Sequence, residues 1–143
     1  DDWRRRLDDF LVGVDSCPAL LALARARQPQ LLLIEADGLD WLSQRTETSD
    51  VTICSGVFNR WTDRNALPRL HLWLHAAWTQ TRYVLAFDGL TIWQPQEIKS
   101  AEQFYLWPGN VIDWCLRDLR PSRLRLWHDD PVGNIVIQCW KEA

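Results

Sequence analysis

Arg82-Tyr-Val-Leu-Ala-Phe-Asp-Gly-Leu-Thr-Ile-Trp-Gln94 is the stretch on which the reading of the fold turns. Two apolar, β-prone runs flank Asp88-Gly89. An Asp-Gly pair tolerates the two positive φ values of a type I′ turn, whose twist suits a right-handed hairpin. The pattern predicts antiparallel strands over 83–87 and 90–94, joined at that turn, with the other elements packed on or beside them.

Upstream, Leu67, Leu70, Trp73, Leu74, Ala77 and Trp78 step by three and four. That spacing predicts a helix over 66–80 with Asn65 as its cap. A short strand is expected over 51–54, ended by Ser55-Gly56. The run Leu31-Leu-Leu-Ile34 before Glu35 reads as a strand buried on both faces. Asp37-Gly38 turns the chain, and Leu39, Trp41 and Leu42 suit a short helix. Pro18 opens a helix whose buried stripe is Leu20, Leu21, Leu23 and Ala24, with Ser16 as cap and Pro29 as stop. Trp3, Leu7, Phe10, Leu11 and Val14 also keep helical spacing.

Downstream, 101–107 suits a helical turn. Asn110 caps a helix with Val111, Trp114, Cys115 and Leu119 on one side, ended by Pro121. Strands follow over 123–127 and 135–140, separated by a turn rich in Asp, Pro and Gly. Helices and strands alternate early, and the later part is antiparallel. The fold class is therefore α/β, with α+β as the alternative: one globular domain over 1–143 with a mixed sheet of about five or six strands flanked by helices.

The chain has 143 residues, 47% hydrophobic and 24% charged, which suits one globular domain with a full core. It contains no Met, and the expectation is a fragment or subunit of a larger assembly. The net charge of −3 gives no reason to expect nucleic acid or an anionic membrane as partner. No run approaches the ~18–20 apolar residues of a membrane span. Cys17, Cys54, Cys115 and Cys139 form no C-x-x-C and sit in apolar contexts, which favours a reducing, cytoplasmic setting.

Two resemblances attach to particular residues. The helix over 17–27, then Gln28-Pro-Gln-Leu-Leu-Leu-Ile-Glu35, then Val51-Thr-Ile-Cys-Ser-Gly56 resemble the middle of a response-regulator receiver domain. Glu35 stands where that family has its phosphoacceptor aspartate, so the resemblance implies a domain unable to take phosphate. Asp88 with Glu97-Ile-Lys99 resembles the metal-binding core of nucleases of the PD-(D/E)xK class. That likeness implies carboxylates holding Mg²⁺ and Lys99 stabilising the attacking hydroxide or scissile phosphate. Gln103 and Tyr105 sit where some relatives carry a supporting pair.

Other constellations are the pair His71 and His75, one helical turn apart at a metal-ligand spacing, and the carboxylates Asp129-Asp130 before Pro131. No Ser-His-Asp order, G-x-S-x-G, P-loop or G-x-G-x-x-G occurs, and no cofactor is implied. Ten tryptophans are too many to hide in a domain of this size. Interfaces favour Trp and Arg, which points to Arg117, Arg120, Arg123, Arg125 and Trp127 as a binding surface for another protein. The resulting expectation is a non-catalytic protein–protein interaction or regulatory domain. The alternatives are the metal-dependent nuclease and a domain holding a small molecule in a tryptophan-lined pocket.

Overall fold

The computed structural model describes residues 11–60, 64–128 and 133–142. It divides into two compact units, Asp1–Arg45 and Thr46–Ala143. In the first unit, β1 (Val12–Asp15) pairs in parallel with β2 (Leu32–Glu35), with Val12 opposite Leu32 and Asp15 opposite Glu35. Helix α1 (Pro18–Arg27) makes the crossover between them, as parallel pairing requires. Pro18 stands in its first turn, where a missing N–H costs nothing. Helix α2 (Gly38–Gln44) is capped by Asp37, whose Oδ1 accepts from the amides of Leu39 and Asp40 at 2.9 and 3.1 Å.

The second unit is a five-stranded mixed sheet with the path β3-β4-β7-β6. Its strands are β3 (Ser49–Cys54), β4 (Thr81–Thr91), β5 (Tyr105–Leu106), β6 (Arg123–Trp127) and β7 (Asn134–Trp140). β3 and β5 pair with β4 in parallel; β7 pairs antiparallel with both β4 and β6. Helix α3 (Ala66–Thr79) crosses over from β3 to β4 and buries Leu70, Leu74 and Ala77. Helix α4 (Pro108–Trp114) continues into a π turn, Cys115–Leu119, and buries Val111, Trp114, Cys115 and Leu119. Arg120, at φ 51°, ends that turn in the left-handed region.

Period-two alternation sets the core. Leu85 lies opposite Cys139, which lies opposite Leu124; Phe87, Ile137 and Leu126 form the next row. Leu85, Phe87, Ile137 and Cys139 are buried, as is Phe58, edge-on to both Phe87 and Trp73. Thr81, also buried, donates its hydroxyl to the Ala77 carbonyl at 2.7 Å and contacts Thr52 Oγ1 at 2.7 Å, joining α3, β4 and β3. Among the described residues, no helix is long and apolar enough to cross a membrane.

The mixed sheet with flanking helices matches the expectation, but the hairpin does not exist. Residues 81–91 run as one strand through Asp88 and Gly89, opposite Val136 and Ile135. The backbone there pairs with β7, between the β3 pairing that ends at Phe87 and the β5 pairing that begins at Leu90, so a turn would orphan these groups. Gly89 serves close approach instead: a Cβ there would lie 2.5 Å from Leu106 Cδ1. Other expectations also shift. Val12–Asp15 is a strand rather than the end of a helix, and residues 1–10 lie outside the described ones. β2 is not buried on both faces, since Leu32 is exposed. Asn65 makes no side-chain cap, and α4 begins at Pro108, before Asn110. Asp129-Asp130 lies outside the described residues.

Gly89→Ala is expected to lower stability by about 1–3 kcal/mol through overpacking against Leu106. In a double-mutant cycle with Leu106→Ala, the two changes should couple favourably by more than about 0.5 kcal/mol. Denaturant titration measures both quantities, and strict additivity would clear Leu106 as the cause.

Candidate functional site

Both units direct polar groups to the carboxyl ends of their parallel strands, the position where open α/β sheets receive ligands. In the first unit, β1 ends on Asp15. Asp15 Oδ1 accepts the Cys17 amide at 2.7 Å, which holds the carboxylate at the entrance to α1. The Asp15 carbonyl accepts the Ala36 amide at 3.1 Å and extends the β1–β2 pairing to its end. Asp37 follows β2, with Oδ1 engaged by its cap bonds. An open depression of about 220 Å³ adjoins Asp15, lined also by Gly13, Val14, Leu20, Leu21, Ala24 and Leu33.

In the second unit, Cys54 lies opposite Phe87, so Ser55 emerges beside Asp88. Ser55 Oγ donates to Asp88 Oδ2, and the Gly56 amide donates to Oδ1 at 2.8 Å. Gly56 has a φ of +69°, which brings its N–H onto the carboxylate. Burial, and then the Asp88 charge, push the Cys54 thiol up to about 12. It is therefore a protonated core group and not a nucleophile.

The nuclease constellation is not assembled. Asp88 holds Ser55 and Gly56, whereas Glu97 lies exposed on a 3₁₀ turn, Gln96–Ile98. Lys99 Nζ donates to the Ile92 carbonyl at 2.6 Å. Tyr105 and Gln103 do pair, with the Tyr105 hydroxyl donating to Gln103 Oε1 at 2.8 Å and accepting from the Ser100 amide at 2.7 Å. These bonds fasten a loop and gather no carboxylates. Among the described residues, no three His, Cys, Asp or Glu side chains cluster to hold a metal.

His71 and His75 have different surroundings. The His71 ring stacks flat on Trp114, centroids 4.3 Å apart, and burial lowers its pKa, with the nearby Asp118 charge opposing. His75 is exposed. Arg117 pairs with Asp113 at 2.9 Å and Asp118 at 3.2 Å, both in solvent, where such pairs contribute little. Arg120 Nε donates to the Arg117 carbonyl at 3.2 Å. Arg123 and Arg125 lie 4.1 and 5.8 Å over the Trp140 ring. Trp127 is half-buried. Among the described residues, the exposed indoles are elsewhere, at Trp93 and Trp107. Asp15 and this tryptophan pair escaped the sequence reading. A lone acid at a strand end forms no motif, and the two indoles meet only through strand pairing.

Solved structures share this fold over nearly the whole chain. Magnesium protoporphyrin IX methyltransferase (ChlM) from Synechocystis PCC 6803, with bound SAM, superposes with a TM-score of 0.64 at 13% identity, covering 92% of this chain and 59% of that one. N-methyltransferase NodS from Bradyrhizobium japonicum WM9 gives 0.67 at 11% identity, over 94% and 75% of the two chains. The DhpI–SAH complex gives 0.67 at 14% identity, over 96% and 70%. The chain spans about three-fifths of the length of the Synechocystis enzyme. No protein-family model matches it, and no curated protein is significantly similar to it in sequence.

The reading as a non-catalytic interaction or regulatory domain is therefore corrected. The shared fold is one used by methyltransferases. That reading rested on the surplus of Trp and Arg and on the lack of a complete catalytic set.

Two outcomes test the side-chain environments. Burial keeps Cys54 protonated, the hydrogen bond with Cys139 and then burial do the same for Cys115, and Cys139 is buried against Cys115, whereas Cys17 is half-exposed. Iodoacetamide at neutral pH should modify Cys17 in the native protein and the other three only after unfolding, as read by peptide mass spectrometry. His71 has a folded pKa below its ordinary 6.5, so its neutral form is favoured by folding. The stability this gives is present above pH 6.5 and is lost as pH falls from there toward the folded value. Between pH 7.5 and 5.5 the melting temperature should therefore drop more in the wild type than in His71→Phe.

Proposed function

We propose that the chain is the cofactor- and substrate-binding part of an S-adenosylmethionine-dependent methyltransferase acting on a small molecule. The observation that carries this reading is its superposition, over 92–96% of its length, on solved methyltransferases that include complexes with SAM and SAH. The first unit's chemistry fits the nucleoside. Asp15 and Asp37 both stand at the carboxyl end of β1 and β2. Each uses one oxygen on backbone amides and leaves the other to accept from a ribose hydroxyl or the adenine amino group.

The donor supplies the reactive centre: a methyl group on a positively charged sulfonium. Asp15 and Asp37 would hold the donor's nucleoside, so that its methyl carbon could be offered to an acceptor lone pair with the neutral thioether as leaving group and the acceptor proton released to solvent. The protein's part is to bind both molecules, align them and exclude water, a contribution that reaches several orders of magnitude in effective concentration.

Isothermal titration with S-adenosylhomocysteine tests the reading, with saturable one-to-one binding expected. Asp15→Asn should weaken it about 10–100-fold, the range for a hydrogen bond to a charged group. Lack of saturable binding by the folded wild-type chain would remove the proposal.

A further inference from the structure

β3 runs parallel to β4, and β4 and β6 both run antiparallel to β7. The carboxyl ends of β3, β4 and β6 therefore meet at one end of the second unit. Two exposed indoles stand there, Trp93 at 57% and Trp107 at 52%. Their ring centroids are 6.2 Å apart and tilted by 57°. The His128 ring, following β6, lies edge-on to Trp93 at 5.5 Å.

Backbone bonds place the group. β5 pairs in parallel with the end of β4, Leu90 opposite Tyr105 and Thr91 opposite Leu106. The Ile92 amide then donates to the Leu106 carbonyl at 3.0 Å, so the residues that follow, Trp93 and Trp107, emerge side by side. The Trp93 amide donates to Thr91 Oγ1 at 2.9 Å, and His128 Nε2 lies 3.2 Å from the same oxygen. A Cβ on Gly109 would come within 3.3 Å of Trp107 Nε1, so the bare backbone there seats the ring. The surface thus exists before any ligand arrives, which reduces the ordering cost of binding.

We propose that Trp93, Trp107 and His128 form the acceptor site, and that the acceptor is a planar aromatic small molecule bearing a ring hydroxyl or amine. This rests on the methyl-transfer reading and adds its substrate class. The indoles stack the ring, since aromatic pairs favour offset and tilted contacts at these separations. His128 Nε2 is engaged with the Thr91 hydroxyl, which leaves Nδ1 to hydrogen-bond the ring substituent. Indoles also recognise quaternary ammonium ions. The imidazole wall favours the neutral ring, because it hydrogen-bonds a hydroxyl or amine, which a quaternary ammonium lacks.

Saturation-transfer NMR on the whole chain tests this with three probes: catechol, trans-1,2-cyclohexanediol and tetramethylammonium. Catechol should bind at least tenfold more tightly than the saturated diol. Trp93→Ala and Trp107→Ala should each weaken catechol at least tenfold, and the Phe variants should restore most of the loss. Because both indoles are exposed, the variants should keep the wild-type melting temperature and S-adenosylhomocysteine affinity. Equal binding of catechol and diol, catechol binding retained in both Ala variants, or binding of tetramethylammonium alone would each overturn the acceptor site. Catechol binding without S-adenosylhomocysteine binding would instead overturn the methyl-transfer reading and leave the aromatic site standing.

Discussion

β4 is hydrogen-bonded along both edges, and the second unit takes its arrangement from that. One edge pairs with β3 and then, past Phe87, with β5; the other pairs with β7 from Val84 to Leu90. A strand with two occupied edges has no slack for a turn, because its sideways N–H and C=O groups are already committed. That continuity carries Asp88 to the level where β3 ends, so its carboxylate can take Ser55 and the Gly56 amide. It also carries Thr91 and Trp93 beyond β3, to meet β5 and His128. The Thr91 amide donates to the Gly133 carbonyl at 2.8 Å. Gly133, at φ +80°, has no room for a Cβ, which would sit 2.7 Å from Gln94 Cα.

Elements whose stability is local were legible in the sequence. Three-and-four spacing located α3, Pro18 marked the start of α1, and alternation located β6 and β7. The hairpin was misread because Asp-Gly is a local turn signal overruled by distant partners. Ser55 and Gly56 lie 33 and 32 residues before Asp88. The Leu106 side chain that excludes a Cβ at Gly89 comes from a two-residue strand no pattern reveals. Val12–Asp15 was read as helix because Leu11 and Val14 fit a helical step, while only pairing with β2 makes it a strand. The site was less legible still. Asp15 is one aspartate among many until β1 and β2 align, and neither Trp93 nor Trp107 carries a signal of its neighbour.

On the methyl-transfer reading proposed above, the chemistry would escape motif reading for a related reason. Motif reading finds groups that must react: nucleophiles, bases and metal ligands. A sulfonium donor brings its own leaving group, so a protein serving it needs shaped surfaces and a few hydrogen-bond acceptors. Such surfaces are built by topology from ordinary residues. The residues that did resemble reactive sets have structural work instead: Asp88 ties β3 to β4, Lys99 holds the Ile92 carbonyl, and His71 covers Trp114.

The tryptophans make the same point through their surroundings. Arg45 lies 4.4 Å over Trp41, Lys141 lies 4.8 Å over Trp78, and Arg123 lies 4.1 Å over Trp140. His71 stacks on Trp114, and Phe58 meets Trp73 edge-on. A cation or second ring set over an indole face removes apolar area from water and gains from the ring's quadrupole. Arg45 and Arg123 therefore have a structural use. Trp93 and Trp107 are arranged differently. They contact each other, Trp93 also meets His128, and both remain about half exposed. The one ammonium in their loop, Lys99, is turned to a backbone carbonyl. Exposed aromatic area held rigid by strand pairing is stabilised by its supports rather than by what covers it, which leaves the indole faces open to a planar ligand.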